Sequence, residues 1–204
     1  MKIKILLTTA ILITLFTACG ISKKTTNSAT YDEGVVINGV RWATRNVDEP
    51  GTFAPTSESA GKFYQWNRKK AWNTTDSIVV GWDNSVAKGT KWKKINDPCP
   101  SGWRIPTHEE TLKLSDRSKV SSEWMIENSV NGRKFTDIAS GNSIFLPALG
   151  NRAISNGEIN GSNGIYWSST RVIGGGAYGL IFLIELGSHL NRAVGASIRC
   201  VCIE

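Results

Sequence analysis

The chain has 204 residues, with 24 Lys and Arg against 17 Asp and Glu and a formal net charge of +7. Its basic residues are spread along the chain apart from short clusters at residues 68–70 and 91–94, whereas a nucleic-acid-binding protein usually concentrates them on one face. We therefore expect no nucleic-acid partner and interpret the charge as solvating, with attraction to acidic polysaccharide or lipopolysaccharide as the alternative.

The chain begins with a secretory signal. Lys2 and Lys4 precede an apolar run over residues 5–16, and small residues then lead to Cys19. This pattern predicts a signal peptide over residues 1–18, because the apolar run is well short of the roughly 20 residues that span a bilayer. A cysteine directly after such a site resembles a bacterial lipobox, so we expect Cys19 to carry lipid and to anchor the protein to a membrane. The alternative is an ordinary cleavage site with an incidental cysteine.

A short polar segment follows the predicted lipidation site. Residues 19–33 are mostly Ser, Thr, Lys and Asn with almost nothing to bury, which predicts a flexible tether. The domain is expected over residues 34–204, near Gly34 at its start. About 170 residues then remain, enough for one core and too few for two comfortable domains.

The domain is predicted to open with a β-hairpin. Asn38 and Gly39 separate two β-branched runs, and both central residues of a type I′ turn require positive φ. Residues 50–61 are mostly Pro, Gly, Ser, Thr and Ala, which predicts a surface loop. The region from there to about residue 92 has no clean hydrophobic period, so we expect irregular structure held by aromatic side chains.

A helix is predicted to begin after Thr107. The Thr107 hydroxyl can accept from the backbone N–H of Glu110 while the Glu110 carboxylate reaches back, which is a capping box. We expect the helix to end near Ser115 and Leu112 to face the core. Residues 121–128 are expected to form a second short helical piece.

Strands are predicted in the C-terminal half, between Gly- and Asn-rich turns. The candidates are residues 143–146, 165–169, 178–185 and 197–203. Cys99 before the predicted helix and Cys200 in the last strand both lie in apolar and aromatic surroundings, which indicates that the end of the chain returns to its middle. The predicted fold class is α+β and loop-rich, with small antiparallel sheets and one or two short helices.

Six segments in this order carry a resemblance to a known family. They are NGVRWATRNV (38–47), GKFYQW (61–66), CPSGWRIPT (99–107), FLPALG (145–150), YWSST (166–170) and SIRCV (197–201). Together they resemble the Fibrobacter succinogenes major paralogous domain, and similar segments occur in Bacteroidetes lipoproteins. The resemblance implies a C-type lectin-like fold, related to the formylglycine-generating-enzyme module, in a protein anchored to the outer membrane on its periplasmic face or at the cell surface. It does not carry an activity, because a fold alone does not fix function.

The resemblance also implies a disulfide. The family pattern places its cysteine at Cys200, so Cys99 and Cys200 are expected to pair in an oxidising compartment. Cys202 is the alternative, either as the partner of Cys99 or as a free thiol.

These segments also have a plain packing interpretation. We expect Trp103 and Trp167 to be buried rings, and Arg104 and Arg199 to hold loops by stacking or by donating to carbonyl groups. These four residues form the predicted core scaffold, and a ligand-binding role for them is the alternative.

The sequence offers little for catalysis. His108 and His189 have no metal-ligand spacing, and no serine lies in a Gly-x-Ser-x-Gly setting. Formylglycine-generating chemistry would need a thiol pair in a substrate groove. We therefore expect no enzyme activity, no cofactor and no required metal, with loop-bound calcium as the alternative that lectin-like folds suggest.

The expected role is recognition by loops, since variable loops on a rigid scaffold commonly meet ligands. The candidate surface combines the Asn- and Gly-rich loops at residues 152–163 with Trp72, Trp82, Asp83, Asn84 and Trp92. Exposed Trp beside Asn or Asp suits sugar rings, so a glycan or a surface protein is the expected ligand and a monomer the expected state. One alternative is that these rings fill the core. Another is an assembly lipoprotein that binds proteins through an exposed apolar patch.

Overall fold

The computed structural model describes residues 28–75, 79–183 and 189–203. The predicted signal peptide and Cys19 lie outside the described residues. Within the part of the chain that is described, no helix has the length and apolar composition needed to cross a membrane.

The described residues form short strands and one α-helix, with a 3-10 turn at Lys94–Asn96. In chain order the elements are β1 Val35–Ile37, β2 Val40–Trp42, β3 Phe63–Gln65, β4 Ala71–Trp72, β5 Trp103–Arg104, α1 His108–Ser115, β6 Val120–Glu127, β7 Val130–Asp137, β8 Ser143–Pro147, β9 Asn151–Arg152, β10 Ile159–Asn160, β11 Ile165–Arg171, β12 Gly176–Ile181, β13 His189–Asn191, β14 Gly195–Ala196 and β15 Val201–Cys202. The fold is α+β, rich in β-structure and in loops, as the sequence predicts.

The strands form four small antiparallel sheets, whose orders are β1-β2-β15-β5, β10-β9-β14-β3-β4, β11-β12-β13 and β6-β7-β8. Two of these sheets share the C-terminal segment, which we define as residues 195–203. Its first part, β14, lies between β9 and β3, and its last part, β15, lies between β2 and β5. Between the two strands, Ile198 O accepts from Val47 N at 3.0 Å and Cys200 O accepts from Ala43 N at 2.9 Å. The end of the chain is therefore an interior element of both sheets.

The core consists of two apolar clusters that share strands. One contains Trp66, Trp103, Trp167 and Cys200 among others, and the second contains Trp42, Phe135, Tyr166 and Val201. Successive residues of a strand point to opposite faces. For this reason Tyr166 and Trp167 on β11 reach different clusters, and so do Cys200 and Val201 in the C-terminal segment.

A buried arginine joins the C-terminal segment to the loops around it. Arg199 is buried, and its Nε donates to Asn46 Oδ1 at 3.0 Å. Its terminal nitrogens donate to Ala43 O at 3.3 Å and Phe145 O at 3.2 Å. Burial lowers the pKa of Arg199, and the fork of hydrogen bonds offsets the cost of removing the cation from water. The scaffold role predicted for Arg199 is confirmed, as is the burial of Trp103 and Trp167.

The expected disulfide is present. Cys99 and Cys200 are bonded, with their Cα atoms 6.1 Å apart and a separation of 101 positions in sequence. Cys202 is therefore not the partner of Cys99. Because β15 pairs with β5, which lies just before α1, the last strand lies beside the start of the helix.

Two local predictions are confirmed in detail. Asn38 and Gly39 have φ of 46° and 74° in the turn between β1 and β2. Helix α1 begins with the capping box, in which Glu110 N donates to Thr107 Oγ1 at 3.2 Å and Thr107 N donates to Glu110 Oε2 at 2.7 Å.

The predicted helical piece at residues 121–128 is wrong. Residues 121–127 belong to β6, which pairs along its whole length with β7. Asn128 and Ser129 form the turn between the two strands, with φ of 47° and 67°. Eight consecutive cross-strand pairs outweigh the weak helical preference of a short isolated segment.

Leu112 is also placed differently from the prediction. It is 37% exposed, whereas Thr111 and Leu114 are the buried residues of α1. Residues three apart lie on one helix face, and that face is the one α1 turns to the core.

The remaining strand predictions agree in position and differ in extent. Residues 143–146 and 165–169 lie within β8 and β11, and β12 begins and ends earlier than the predicted 178–185. In the predicted strand 197–203 only β15 is regular.

The end of the predicted tether packs on the domain. The Asp32 carboxylate is buried and accepts from Thr44 N at 3.1 Å, from the Thr44 hydroxyl at 2.9 Å and from Arg45 Nε at 3.2 Å. The predicted boundary at Gly34 therefore lies inside an anchored segment, because a polar side chain in this stretch is held by the domain rather than by water.

The disulfide predicts a specific digest product. Trypsin should release residues 95–104 linked to the C-terminal peptide, and fragmentation between Cys200 and Cys202 should place the link on Cys200. Replacing both Cys99 and Cys200 by Ala should lower the free energy of unfolding by about 4 to 5 kcal/mol in the loop-entropy model, measured by urea denaturation. A link on Cys202, or an unchanged melting temperature under reducing conditions, would contradict this prediction.

Candidate functional site

The residues of the predicted loop surface divide into buried and exposed groups. Trp72 and Trp92 are only 5% and 8% exposed, Trp82 is half-buried, and Asp83 and Asn84 are exposed. The expectation of exposed stacking rings is therefore wrong for Trp72 and Trp92, since both rings are used in packing. A ligand-binding role for the surface as a whole stays a prediction.

Trp82 joins the two loop regions that the sequence assigned to one surface. Its ring lies 5.0 Å from that of Trp72, and its Nε1 donates to Ile154 O at 2.9 Å. The ring also covers Gly157 and Gly195, where an added Cβ would lie 2.6 Å and 2.9 Å from its atoms. Only glycine leaves room for the ring at these two positions. The buried side of the Trp82 ring therefore packs against the segments it connects.

Asp83 is held by neighbours rather than presented to a ligand. Its carboxylate accepts from Arg68 in an ion pair and from Ser85 N at 2.9 Å. The hydrogen bonds from Arg68 and Ser85 hold the pKa of Asp83 well below its ordinary value. Trp92 lies on the other side of this region, where it packs edge-on against Trp66 and donates from Nε1 to Asn96 O at 2.9 Å.

A cleft of about 580 Å³ lies on the far side of Trp92. Its walls come from the loop before β5, from β5 itself, from the segment between β5 and α1 that includes the N-cap Thr107, from Ser169 in β11 and from the residue after β15. Trp92, Trp103 and Ile105 form a largely buried apolar floor, while Ser101 and Ile203 form exposed parts of the rim. The volume is in the range of small-molecule sites in proteins. We call this feature the cleft.

One sequence motif supplies most of the cleft lining, although the sequence did not identify it as a binding site. The sequence predicts a scaffold role for Trp103 and Arg104 of the segment CPSGWRIPT (99–107), and eight of the nine residues of this segment line the cleft. The same segment carries the disulfide, and Cys99 is the lining residue through which the bond contacts the cleft.

Asp97 is the acidic group of the cleft. Its carboxylate oxygens accept from Cys99 N at 3.0 Å and from Ile105 N at 3.2 Å. Burial raises the pKa of Asp97, against the effect of these hydrogen bonds and of the nearby charges on Arg104 and Lys69. Because both oxygens bind backbone N–H groups, the carboxylate fixes the shape of the loop that forms the cleft wall.

Arg104 and Glu110 form the charged pair beside it. Arg104 Nη1 and Nη2 donate to Glu110 Oε2 and Oε1 at 2.8 Å and 2.7 Å. Burial raises the pKa of Glu110, but hydrogen bonds from Arg104 and Thr107 outweigh it and leave the pKa below its ordinary value. The pair links the cleft wall to the capping box of α1, so the helix start and the cleft share one carboxylate. Arg104 is therefore half-exposed at the wall instead of buried in the predicted scaffold.

The polar side chains that line the cleft are of several chemical types. The cleft lining includes hydroxyl groups of Ser101, Thr107 and Ser169 but no histidine, and its one cysteine is in the disulfide. His108 stacks on Tyr178 with ring centres 3.8 Å apart, and burial lowers the pKa of His108. His189 lies on β13. Among the described residues, no group of three or more His, Cys, Asp and Glu side chains is placed to hold a metal ion.

The chain matches no protein-family model, no curated protein and no solved structure.

The Arg104–Glu110 pair predicts part of the pH dependence of stability. A carboxyl with a lowered pKa stabilises the fold above its ordinary value of 4.5 and loses that contribution as the pH falls through the folded value. Glu110→Gln should therefore lose less stability than the parent chain between neutral pH and acid, by about 1 kcal/mol or less for a partly exposed pair. Gln keeps an acceptor for the capping box.

The measurement is urea denaturation of both proteins at neutral pH and below the ordinary carboxyl pKa. Glu109→Gln is the matched control, because Glu109 is the exposed neighbour and forms no ion pair among the described residues. If Glu110→Gln and Glu109→Gln follow the same pH curve, the pair does not contribute.

Proposed function

We propose that this protein is a non-catalytic recognition protein of the cell envelope, anchored by lipid at Cys19 to the outer membrane. The single observation that carries the recognition role is the cleft of about 580 Å³ beside the disulfide. It combines an apolar floor with hydroxyl, carboxylate and guanidinium groups on its walls. A small number of precisely placed polar groups on a mostly apolar surface is typical of ligand sites. A glycan or a protein segment is the proposed ligand.

The finer fold assignment belongs to the same proposal. Six ordered sequence segments resemble the Fibrobacter succinogenes major paralogous domain, and small antiparallel sheets with one helix suit a C-type lectin-like module. The C-terminal strand beside the capped helix supports this assignment, since it closes the module into one unit.

A formylglycine-generating type of activity is the weaker proposal. Its thiol pair would have to be available in a groove. Cys99 and Cys200 are bonded to each other, and Cys200 is buried. This geometry favours a structural role for the two sulfur atoms.

A bulky residue at the cleft rim tests the recognition role. Ser101→Trp should fill the cleft and weaken ligand binding at least about tenfold, because a steric block removes the contacts of the floor and walls together. Ligands would be found by probing a glycan array and envelope protein fractions, and affinities then measured by titration. Ser155→Trp is the comparison variant, because Ser155 is an exposed serine in the loop at residues 152–163. Weakening by Ser155→Trp alone would assign recognition to the Trp82 loops and contradict the cleft.

A second candidate function is assembly with another envelope protein, and one surface favours it. Strand β6 is the edge of its sheet, and its residues Trp124 and Ile126 are 49% and 66% exposed on the same face. The Trp124 ring contacts Phe182 at 5.6 Å between centres, and the residue that follows Phe182, Leu183, is 72% exposed. Among the described residues, the backbone hydrogen bond from Val120 N to Asp116 O at 2.8 Å lies at the start of β6, and none is found to a strand on its outer side. An edge strand that exposes two large apolar side chains can pair with an extended segment of another protein that carries apolar side chains.

Polar substitution on β6 tests this second function. Trp124→Ser with Ile126→Thr should abolish most recovery of a protein that copurifies from detergent-solubilised envelopes, because the apolar face is lost while the exposed side chains contribute little to folding. Ile138→Thr serves as the control, since Ile138 is 59% exposed outside this surface. Equal recovery with all three proteins would exclude β6 as the interface.

A further inference from the structure

The two basic clusters that are separate in the sequence lie together in the fold. Asn67 connects them: its Nδ2 donates to Lys88 O at 3.0 Å, and its Oδ1 accepts from Lys93 N at 2.7 Å. Asn96 Nδ2 also donates to Asn67 O at 2.8 Å. Asn67 has a φ of 57°, a conformation that asparagine tolerates better than most residues. The turn at residues 66–70 is thereby fixed against the loop at residues 88–96.

This contact produces a surface that we call the basic face. Its exposed lysines are Lys69, Lys88, Lys91, Lys93 and Lys94. Within the described ranges, none of the ion pairs involves any of the five. Like charges gathered without partners raise the local potential and attract anions from solution.

Two arginines extend the basic face around the same loop. Lys91 bridges to Thr170, which places it next to Arg171. Arg192 donates from Nη1 to Gly89 O at 3.0 Å and lies over the Trp66 ring at 5.2 Å. Arg171 and Arg192 lie close enough for the charge on each to matter to the other, since Arg171 adds to burial in lowering the pKa of Arg192.

The basic face borders the cleft. Lys94 lines the cleft together with Arg104, and Lys69 acts electrostatically on Asp97 in the cleft wall. The nearby carboxylates are already engaged, because Asp83 pairs with Arg68 and Asp97 accepts from backbone N–H groups. The acidic side chains therefore leave the lysines available to an external anion.

We infer that the ligand of this protein is an acidic polysaccharide, whose anionic groups lie on the basic face while one end or branch enters the cleft. This inference rests on the proposed recognition function and specifies its ligand class. Hydroxyl groups of Thr107 and Ser169 in the cleft can bind sugar hydroxyls. A flat bilayer surface cannot enter a cleft. The rings beneath the face, Trp66 and Trp92, are buried and are not available to stack on nucleic-acid bases.

The test compares charge reversals at two places on the full chain. Lys91→Glu with Lys93→Glu alters the basic face, and Lys113→Glu with Lys119→Glu makes the same change in net charge at exposed lysines of α1 and of the residue before β6. The probes are polygalacturonate and dextran sulfate, with neutral dextran and vesicles rich in acidic phospholipid for comparison. Dissociation constants are measured at about 0.05 M and about 0.2 M salt, since screening lengths change strongly over that range.

Both polyanions should bind, and the higher salt should weaken binding severalfold. The basic-face variant should bind about tenfold more weakly than the parent chain, because two attractions become two repulsions. The control variant should stay within about twofold of the parent chain, since its charges lie away from the ligand. Ser101→Trp should also weaken binding. These results together would support the inference.

Other outcomes overturn it in distinguishable ways. Equal weakening by both double variants would mean that net charge alone drives binding. Stronger binding to acidic vesicles than to either polymer would assign the basic face to a membrane. Binding of neutral glycans that Ser101→Trp abolishes and the lysine variants leave unchanged would overturn the acidic ligand while keeping the recognition cleft. Polyanion binding that Ser101→Trp leaves unchanged would overturn the role of the cleft.

Discussion

The fold depends on the C-terminal segment, residues 195–203, being held in the interior by three different kinds of interaction. Its backbone completes two sheets, with β14 between β9 and β3 and β15 between β2 and β5. The Arg199 guanidinium donates to carbonyl oxygens of Ala43, directly after β2, and of Phe145 in β8, and the Cys200 sulfur joins the loop before β5. Many of these contacts link residues more than a hundred positions apart, so closing them costs chain entropy that only the completed core repays. The two core clusters meet along this segment, and neither is complete without it.

The position of the cleft follows from this closure. The cleft lies where the loop before β5, the start of α1 and the residue after β15 come together, and each of these parts is fixed by a contact of the closed module. The disulfide holds the loop, the capping box holds the helix start, and the pairing with β5 holds the final strand. The Arg104–Glu110 pair then ties the cleft wall to the helix. A site built in this way has walls whose backbone is supported before any ligand binds, which reduces the ordering cost of binding. A supported backbone of this kind would serve the proposed recognition role.

Tryptophan has different uses in different parts of the domain. Trp66, Trp103 and Trp167 are buried in one cluster, and Trp66 and Trp167 donate from Nε1 to carbonyl groups of distant strands. Trp82 fastens loops over glycines, whereas Trp124 lies exposed on the edge strand β6. The sequence does not distinguish these roles. A tryptophan between polar neighbours has the same local sequence whether a distant loop buries its ring or leaves the ring exposed to solvent. Trp72 and Trp92 were assigned to an exposed surface for this reason. The error at residues 121–128 has a related cause, since pairing with β7 determined the conformation of that segment.

The sequence by itself determined the local features whose physics involves neighbouring residues. The Asn38–Gly39 turn needs positive φ at two adjacent positions, and the capping box needs Thr107 and Glu110 three residues apart, so both were predicted and both are present. The family resemblance led to the prediction that Cys99 pairs with Cys200, and no rule about neighbouring residues could have predicted that pairing. Only the tertiary structure decided which aromatic rings are buried, where the cleft lies, and that Asn67 brings two dispersed basic clusters onto one face. Burial, cavities and surface potential depend on which distant segments approach each other, and that information is distributed over long-range contacts rather than encoded in spacing along the chain.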